Sequence, residues 1–475
     1  MVTRHFQKKT LFLGVFLLPF VSFGQNLTIR SSGESGTSGT NWSTSGSNPV
    51  IISSTGTAYV NTSVIEGYLN AGTSVQLEGS IINVANAIDK TAGGDATLTI
   101  RAGGTNAEGY GRALINASIQ STSGALNIVL WSDYNDHNRA GATVGSSPTI
   151  NTNGGHFWMG GSATSQGSTT WNGLTVGDGP SVNAIGFTNQ NAIDFNAVTL
   201  NTSGGDVFMW AAPGTGTGTD GIAFHASSSV NTGTGDIILA ADVINGIATS
   251  ISSTGHLYLV PDGGAYPSAV TWSHNNASPN IDVSGTFDAL NINAFNSLTG
   301  FTIGEYTGMA GVNFSNSSSV TLSSNINIAG PISVYGGDII INNSLNTTSD
   351  GTNGDILVKA SGDISLTADE SITTSGGDVI LWANSDNQAA NGSISLRKAS
   401  SITTGSLSVT GGSVWLGGGA DGGTWNGLSV GQGYAVSGTS FTPSDGGGDA
   451  NAGVYFENAT IQTNGGDILV KGDGG

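Results

Sequence analysis

Cysteine is absent from this 475-residue chain. Its absence excludes a disulfide framework and Cys-ligated zinc, and it removes the residue that a lipoprotein anchor acylates. Proline is scarce, at 10 residues, and glycine shows no strict three-residue period, so collagen is excluded. Basic residues number 12 against 32 acidic ones. Three of the bases, Arg4, Lys8 and Lys9, precede the first acid, Glu34. The rest of the chain sets nine scattered bases against all 32 acids, which argues against nucleic acid and anionic lipid as partners, since both need clustered Lys and Arg. No segment after residue 25 approaches the ~20 apolar residues of a membrane-spanning helix. Ala, Glu, Lys and Leu do not dominate, which excludes long helices and coiled coils.

What the chain has instead is glycine, 75 residues of it, with abundant Ser, Thr and Asn. That is about twice the usual glycine share of roughly 7%. Hydrophobic residues still reach 37%, too many for charged disorder. The composition points to a large β-rich chain with many tight corners.

Residues 1–24 read as a secretory signal peptide. Arg4, Lys8 and Lys9 form its positive region, and Leu11 to Val21 form an apolar stretch of 11 residues, too short to span a bilayer. Ser22 and Gly24 are the small residues at −3 and −1 of a cut before Gln25. The mature chain is therefore expected to be secreted, extracellular or held at the cell surface.

The remainder is repetitive. Thr199-Leu-Asn-Thr-Ser-Gly-Gly-Asp-Val-Phe-Met-Trp210 returns as Ser371-Ile-Thr-Thr-Ser-Gly-Gly-Asp-Val-Ile-Leu-Trp382, and again as Thr460-Ile-Gln-Thr-Asn-Gly-Gly-Asp-Ile-Leu-Val-Lys471. Looser copies begin near Ser229, Ile251, Ser333 and Thr352. Each phrase reads as a short strand, a glycine corner and a second strand. A longer period lies above it. Trp171-Asn-Gly-Leu-Thr-Val-Gly-Asp-Gly179 reappears 254 residues on as Trp425-Asn-Gly-Leu-Ser-Val-Gly-Gln-Gly433, and Trp131 matches Trp382 at a shift of 251.

Repeats of this kind predict an all-β chain, an elongated right-handed parallel β-helix, or β-solenoid. A string of β-sandwiches would need modules of about 100 residues with Pro-rich linkers, and none is visible. The expected organisation is a signal peptide (1–24), an N-terminal solenoid start or cap (25–75), a first repeat module (76–333) and a second, truncated module (334–475). The chain would continue beyond Gly475. About 20 coils of 20 to 25 residues would be stacked, with helix nearly absent outside residues 5–21. The second glycine of each corner (Gly205, Gly337, Gly377, Gly466) is expected at positive φ. Val207, Ile339, Val379 and Ile468, with Met209, Ile341, Leu381 and Val470, should point inward. Phe208, Ile340, Ile380 and Leu469 should then face outward as an apolar stripe, a basis for adhesion or lateral self-association.

Several stretches resemble the filamentous-haemagglutinin-like secreted adhesins of Gram-negative bacteria. They include Ser63-Val-Ile-Glu-Gly-Tyr-Leu-Asn-Ala-Gly-Thr-Ser-Val-Gln-Leu77, Ile82 to Ala102, Ile115-Asn-Ala-Ser-Ile119, Leu126-Asn-Ile-Val-Leu-Trp-Ser-Asp133 and Ile150-Asn-Thr-Asn-Gly-Gly155. The resemblance covers most of residues 26–475. It implies a β-helical stalk that displays a binding surface for host cells, other cells or glycans. Two features of that family are not found in the sequence: an unmistakable Asn-Pro-Asn-Gly secretion motif, which puts the two-partner export route in doubt, and a C-terminal anchor or sorting domain. The cut before Gln25 resembles signal peptides of Bacteroidetes.

β-Helices also host polysaccharide lyases and hydrolases, so a carbohydrate-active enzyme and a non-catalytic glycan-binding module are the alternatives. A hydrolase needs carboxylates converging on one face. Most aspartates here recur at corners (Asp95, Asp206, Asp338, Asp378, Asp467), which reads as turn capping, and no catalytic residue is assigned. The six histidines lack ligand spacing. Gly216-Thr-Gly-Thr-Asp-Gly-Ile222 and Gly446-Gly-Gly-Asp-Ala-Asn451 each hold part of a calcium-loop pattern, which makes Asp220 and Asp449 weak calcium candidates; no other cofactor is expected. Trp171 and Trp425 are the candidate glycan-contact aromatics, the competing reading being that tryptophans seal the edges of the fold.

Overall fold

The structure is a computed structural model. It describes residues 26–31, 41–103, 111–135, 141–182, 191–212, 221–245, 250–273, 280–283, 292–293 and 297–474, apart from 146, 226, 350, 388–391, 407 and 438–451. The signal-peptide segment and the calcium candidates Asp220 and Asp449 lie outside the described residues.

The chain is all-β, built from parallel sheets, with one α-helix among the described residues. Strands form where β-branched residues alternate with polar ones. In Ala96–Ala102 the residues Ala96, Leu98, Ile100 and Ala102 are buried, while Thr97, Thr99 and Arg101 face the other way. Neighbours in a sheet are not neighbours in sequence. Ala96–Ala102 pairs in parallel with Leu126–Trp131, and the two strands between them, Arg112–Ile115 and Ile119–Ser121, belong to two other sheets. Three sheets therefore share one core, in which Leu98, Ile115 and Ile119 are fully buried.

One sheet runs the length of the described chain. It has fourteen successive parallel strands from Val50–Ser54 to Ile468–Val470, and antiparallel Trp42–Ser45 closes its first edge. Its register keeps one apolar column unbroken, from Ile52 through Leu77, Ile100, Leu130, Met159, Met209 and Leu239 to Leu381, Leu416 and Val470. Each buried Ile, Leu or Met in the column contributes about 1.5–3 kcal/mol. At about 4.8 Å per strand, fourteen strands span about 60 Å. That is shorter than twenty coils would be. The reason is that the chain leaves the sheet for long excursions, such as the one between Phe157–Gly160 and Val207–Ala212.

The Thr-x-Gly-Gly-Asp corners work differently from expectation. Positive φ falls on the first glycine, at Gly204 (112°), Gly376 (106°) and Gly465 (121°), and not on Gly205, Gly377 or Gly466. The second glycine is required by proximity. A Cβ on Gly205 would sit 2.1 Å from the Gly155 carbonyl oxygen, and one on Gly466 would sit 2.1 Å from that of Gly412. Gly337 also lacks positive φ; its corner leads from the long sheet into a neighbouring one, so it is not equivalent. A buried threonine ties each corner: the Thr374 hydroxyl donates to the Gly377 carbonyl (2.5 Å), and Thr463 does the same to Gly466 (2.6 Å). The aspartate that follows reaches across to the next strand. Asp206 Oδ1 accepts the backbone N–H of Asp236, Asp236 that of His256, and Asp355 that of Asp378, each at 2.8 Å. These carboxylates cap backbone donors between strands, which accounts for their recurrence.

The helix is a correction. Thr62–Asn70, part of the stretch that carried the adhesin resemblance, is α-helical. Asn61 caps it by accepting from Ser63 N–H, and Ile65 and Leu69, four apart, are buried. The helix lies against the edge strand Ile88–Lys90 and supplies acceptors to it. Glu66 takes the Asp89 N–H (3.1 Å), and Asn70 takes those of Thr91 (2.7 Å) and Ala92 (3.0 Å). An edge left open would offer these donors to another strand.

Candidate functional surface

The face of the long sheet that points away from the core carries a second set of apolar side chains. Residues 168–177 fold over it as a β-hairpin, Ser168–Trp171 against Leu174–Gly177. Its turn is Asn172-Gly173, with φ of 47° and 75°, the two positive values a two-residue type I′ turn needs. The Asn172 amide donates to Asp206 Oδ2 (2.6 Å), so a corner aspartate anchors the hairpin tip.

The second copy repeats this geometry. Gly423–Trp425 pairs with Leu428–Val430 through Asn426-Gly427, with φ of 48° and 82°, and Asn426 donates to Asp467 Oδ2 (2.7 Å). Beneath each hairpin lies an equivalent pair of tryptophans. Trp131 Nε1 donates to Ser162 Oγ (2.8 Å), Trp382 Nε1 donates to the Gly419 carbonyl (2.7 Å), and Trp158 and Trp415 are fully buried.

The two copies differ in what lies on top. Over the first, a further hairpin, Glu305–Met309 with Val312–Ser315, extends the sheet: Met309 pairs with Trp171 and Ala310 N–H donates to the Thr170 carbonyl (3.1 Å). Trp171 donates its indole N–H to the Tyr306 hydroxyl (2.9 Å). Phe208 touches Trp171, Tyr306 and Phe314 at ring separations of 5.5, 5.6 and 5.8 Å. Trp171 is consequently 1% exposed. As a candidate glycan contact it is withdrawn, because no sugar can reach its face. Among the described residues Trp425 has no such cover, and it is half-buried. No family model and no curated protein matches the chain.

The outward apolar stripe is likewise corrected. Phe208 is fully buried and Ile380 is 9% exposed, each beneath a hairpin, so both alternating sets are covered there and that route to adhesion fails. Ile340 is 38% exposed but stands in a different sheet. Among the intended inward residues, Ile468 and Val470 of the last strand are exposed, at 48% and 41%. Beside Ile340 lies a shallow groove of about 240 Å³ lined by Asp338, Asp363, Ser365, Ser393 and Ser395. Two of its corner carboxylates are already engaged: Asp338 accepts from Asp363 N–H (2.9 Å), and Asp363 from Ser393 N–H (2.6 Å) and its hydroxyl (2.8 Å).

Among the described residues no group of three or more His, Asp or Glu is placed to hold a metal ion. His156 lies beside the Asp206 carboxylate (3.5 Å) and its Nδ1 accepts the Asp206 backbone N–H (3.0 Å), and His225 lies beside Asp194; each histidine has one carboxylate neighbour. Among the described residues the Asp262 carboxyl is raised to about 7 by burial and then by the charge of Asp242. A carboxyl raised in the folded state binds its proton more tightly there than in the unfolded chain. Its folded form is therefore favoured below the ordinary value near 4, and that advantage is lost as pH rises from about 4 through 7. Asp262→Asn should remove this loss. The midpoint of thermal unfolding of the variant should exceed the parent's at pH 8 and match it at pH 4; an equal difference at both values would assign the effect to something other than this proton.

Proposed function

We propose that the chain is a secreted, cell-surface adhesin-type structural protein whose strands wind as an elongated right-handed parallel β-helix and act as a stiff spacer and display surface. The observation that carries this reading is the unbroken apolar column of fourteen parallel strands, reinforced at the corners by threonine hydroxyls and strand-to-strand aspartates. Stacked strands joined by such corners resist bending more than beads on a linker would. The segment at residues 1–24 supports export, and the resemblance of many stretches to filamentous-haemagglutinin-like adhesins supports the surface role. The ligand is then a surface receptor or glycan.

The test is cell-based. The chain fused to its own residues 1–24 should reach the outside of a Gram-negative host, and the purified chain should bind cell or glycan surfaces saturably. Retention in the cytoplasm, or no binding above that of an unrelated acidic β-protein, overturns it.

A glycan-binding role has its own support in the groove beside Ile340, where an exposed apolar side chain borders serines and carboxylates. Ile340→Asp should abolish glycan-array signal if this groove is the contact. Signal that persists in the variant places binding elsewhere.

A further inference from the structure

The two hairpin covers leave a strip of the long sheet open between them. The 305–315 hairpin reaches as far as Tyr258, whose ring meets that of Tyr306 at 5.0 Å, and the 423–430 hairpin covers Ile380 and Trp415. Between those limits the register places Ser333 and Leu357 in one outward row, and Tyr335 and Lys359 in the row beside it. All four are half-buried. The strip is two strands wide, about 10 Å. Ile332–Gly336 and Ile356–Ala360 are each paired on both sides, so the strip presents side chains and no main-chain edge. Polar groups stand on both walls. From one side Asp421 reaches Lys359 Nζ (2.7 Å), and the same ammonium lies over the Trp382 ring (4.4 Å), so Lys359 is engaged twice. From the other side comes Glu305, the first residue of its hairpin. It is half-buried, and burial holds it above the ordinary glutamate value, with Lys359 opposing the rise and Asp421 adding to it. Among the described residues its carboxylate makes no hydrogen bond or ion pair.

We propose that this strip binds a neutral saccharide chain, laid with a ring face on Tyr335 and Leu357 and with its hydroxyls donating to Glu305 and Asp421. The side chains select that chemistry. An anionic ligand is repelled, because the one base at the strip is already matched by Asp421, Glu305 adds a second carboxylate, and the whole chain carries a formal charge of −20. An extended peptide finds no edge to pair with. A purely apolar ligand would bury Glu305 without a donor, at a cost of several kcal/mol by the usual penalty for an unpaired buried charge. A sugar ring has what remains: an apolar face for the tyrosine, whose hydroxyl is tied to Ser333, and several hydroxyl donors for the carboxylates. The proposal deepens the glycan reading of the ligand and rests on it, at a place other than the groove beside Ile340. It does not rest on export or on display at a cell surface.

The probes are cellohexaose, laminarihexaose and mannohexaose, with hexagalacturonate as the acidic counterpart, each titrated calorimetrically into the full chain. Saturable binding of at least one neutral hexamer, with slowed amide exchange in 305–309, 332–336 and 356–360, supports the proposal. Glu305→Gln keeps the shape of the wall and removes the charged acceptor, and should weaken binding about tenfold. Tyr335→Ala should weaken it by the same order. Tyr335→Phe, which keeps the ring, and Ile340→Asp, which alters the other groove, should bind as the parent does. The circular dichroism of Glu305→Gln and Tyr335→Phe should stay that of the parent. Binding of none of the neutral hexamers overturns the proposal, as does a preference for hexagalacturonate. Binding kept in Glu305→Gln and lost in Ile340→Asp also overturns it, in favour of the groove. Hexamer binding by a chain that binds no cells would remove the adhesin reading and leave the saccharide site standing.

Discussion

Gly377→Ala should disrupt the stack around strand Val379–Ala383 by about 3 kcal/mol or more, while Gly427→Ala, at an equally conspicuous glycine, should cost about 1 kcal/mol. The two substitutions add the same methyl group to different problems. Gly427 has positive φ (82°), and a Cβ there meets nothing within 4 Å, so only the left-handed backbone penalty applies. Gly377 has no positive φ, but its Cβ would lie 2.3 Å from both the carbonyl carbon and the oxygen of Gly354, in the 3-10 turn that leads into strand Ile356–Ala360, and 2.7 Å from Asp355 N. These are backbone atoms and cannot swing aside. They are also held: Thr374 bonds the Gly377 carbonyl, and Asp355 accepts the Asp378 N–H. Relief requires pushing two strands apart, which breaks register with Ile356–Ala360. Stacked repeats do not unfold in one step, so the readout should be local. Exchange of the amides in 356–360 and 379–383 should accelerate far more in Gly377→Ala than in Gly427→Ala. Equal acceleration would mean that the strands are not packed as closely as their carbonyls indicate.

This pair also measures what the sequence made legible. The corner phrase marked the glycines and the strands on either side of them, because Gly-Gly-Asp followed by alternating apolar residues is a local signal. It did not distinguish the glycine that turns from the glycine that merely has no room, because the second role depends on a residue about 20 to 50 positions away. Gly155, the neighbour of Gly205, and Gly412, the neighbour of Gly466, are set by how long each excursion is. The recurring aspartate was readable as a capping residue, but not as one that caps the next strand. Helix Thr62–Asn70 was missed although Val64, Ile65, Tyr68 and Leu69 have helical spacing; the repeated β phrases on either side obscured nine residues of a different period. The outward position of Phe208 and Ile380 was readable from alternation. That hairpins cover them was not, since the cover for Phe208 comes in part from Tyr306 and Phe314, about a hundred residues on.

The same non-local cover separates two identical tetrapeptides. Trp171→Ala should cost about 3–5 kcal/mol at its site, and Trp425→Ala about a third of that or less. Both residues open a Trp-Asn-Gly-Leu turn, both turns have the same pair of positive φ values, and both are anchored to a corner aspartate. Local sequence thus predicts equal effects. Packing predicts otherwise. Trp171 is enclosed by His156, Phe208 and the 305–315 hairpin, and its loss opens a cavity that fixed strands cannot close. It also leaves the Tyr306 hydroxyl, in a site whose burial holds the phenol up at about 12, without its indole donor, which adds about 1 kcal/mol. Trp425 has solvent on one side, and its removal exposes surface that is already partly wet. Hydrogen exchange separates the cases: Trp171→Ala should release the amides of 305–315 as well as those of 168–177, whereas Trp425→Ala should affect 423–430 alone. Comparable losses in both variants would show that the two hairpins are covered alike.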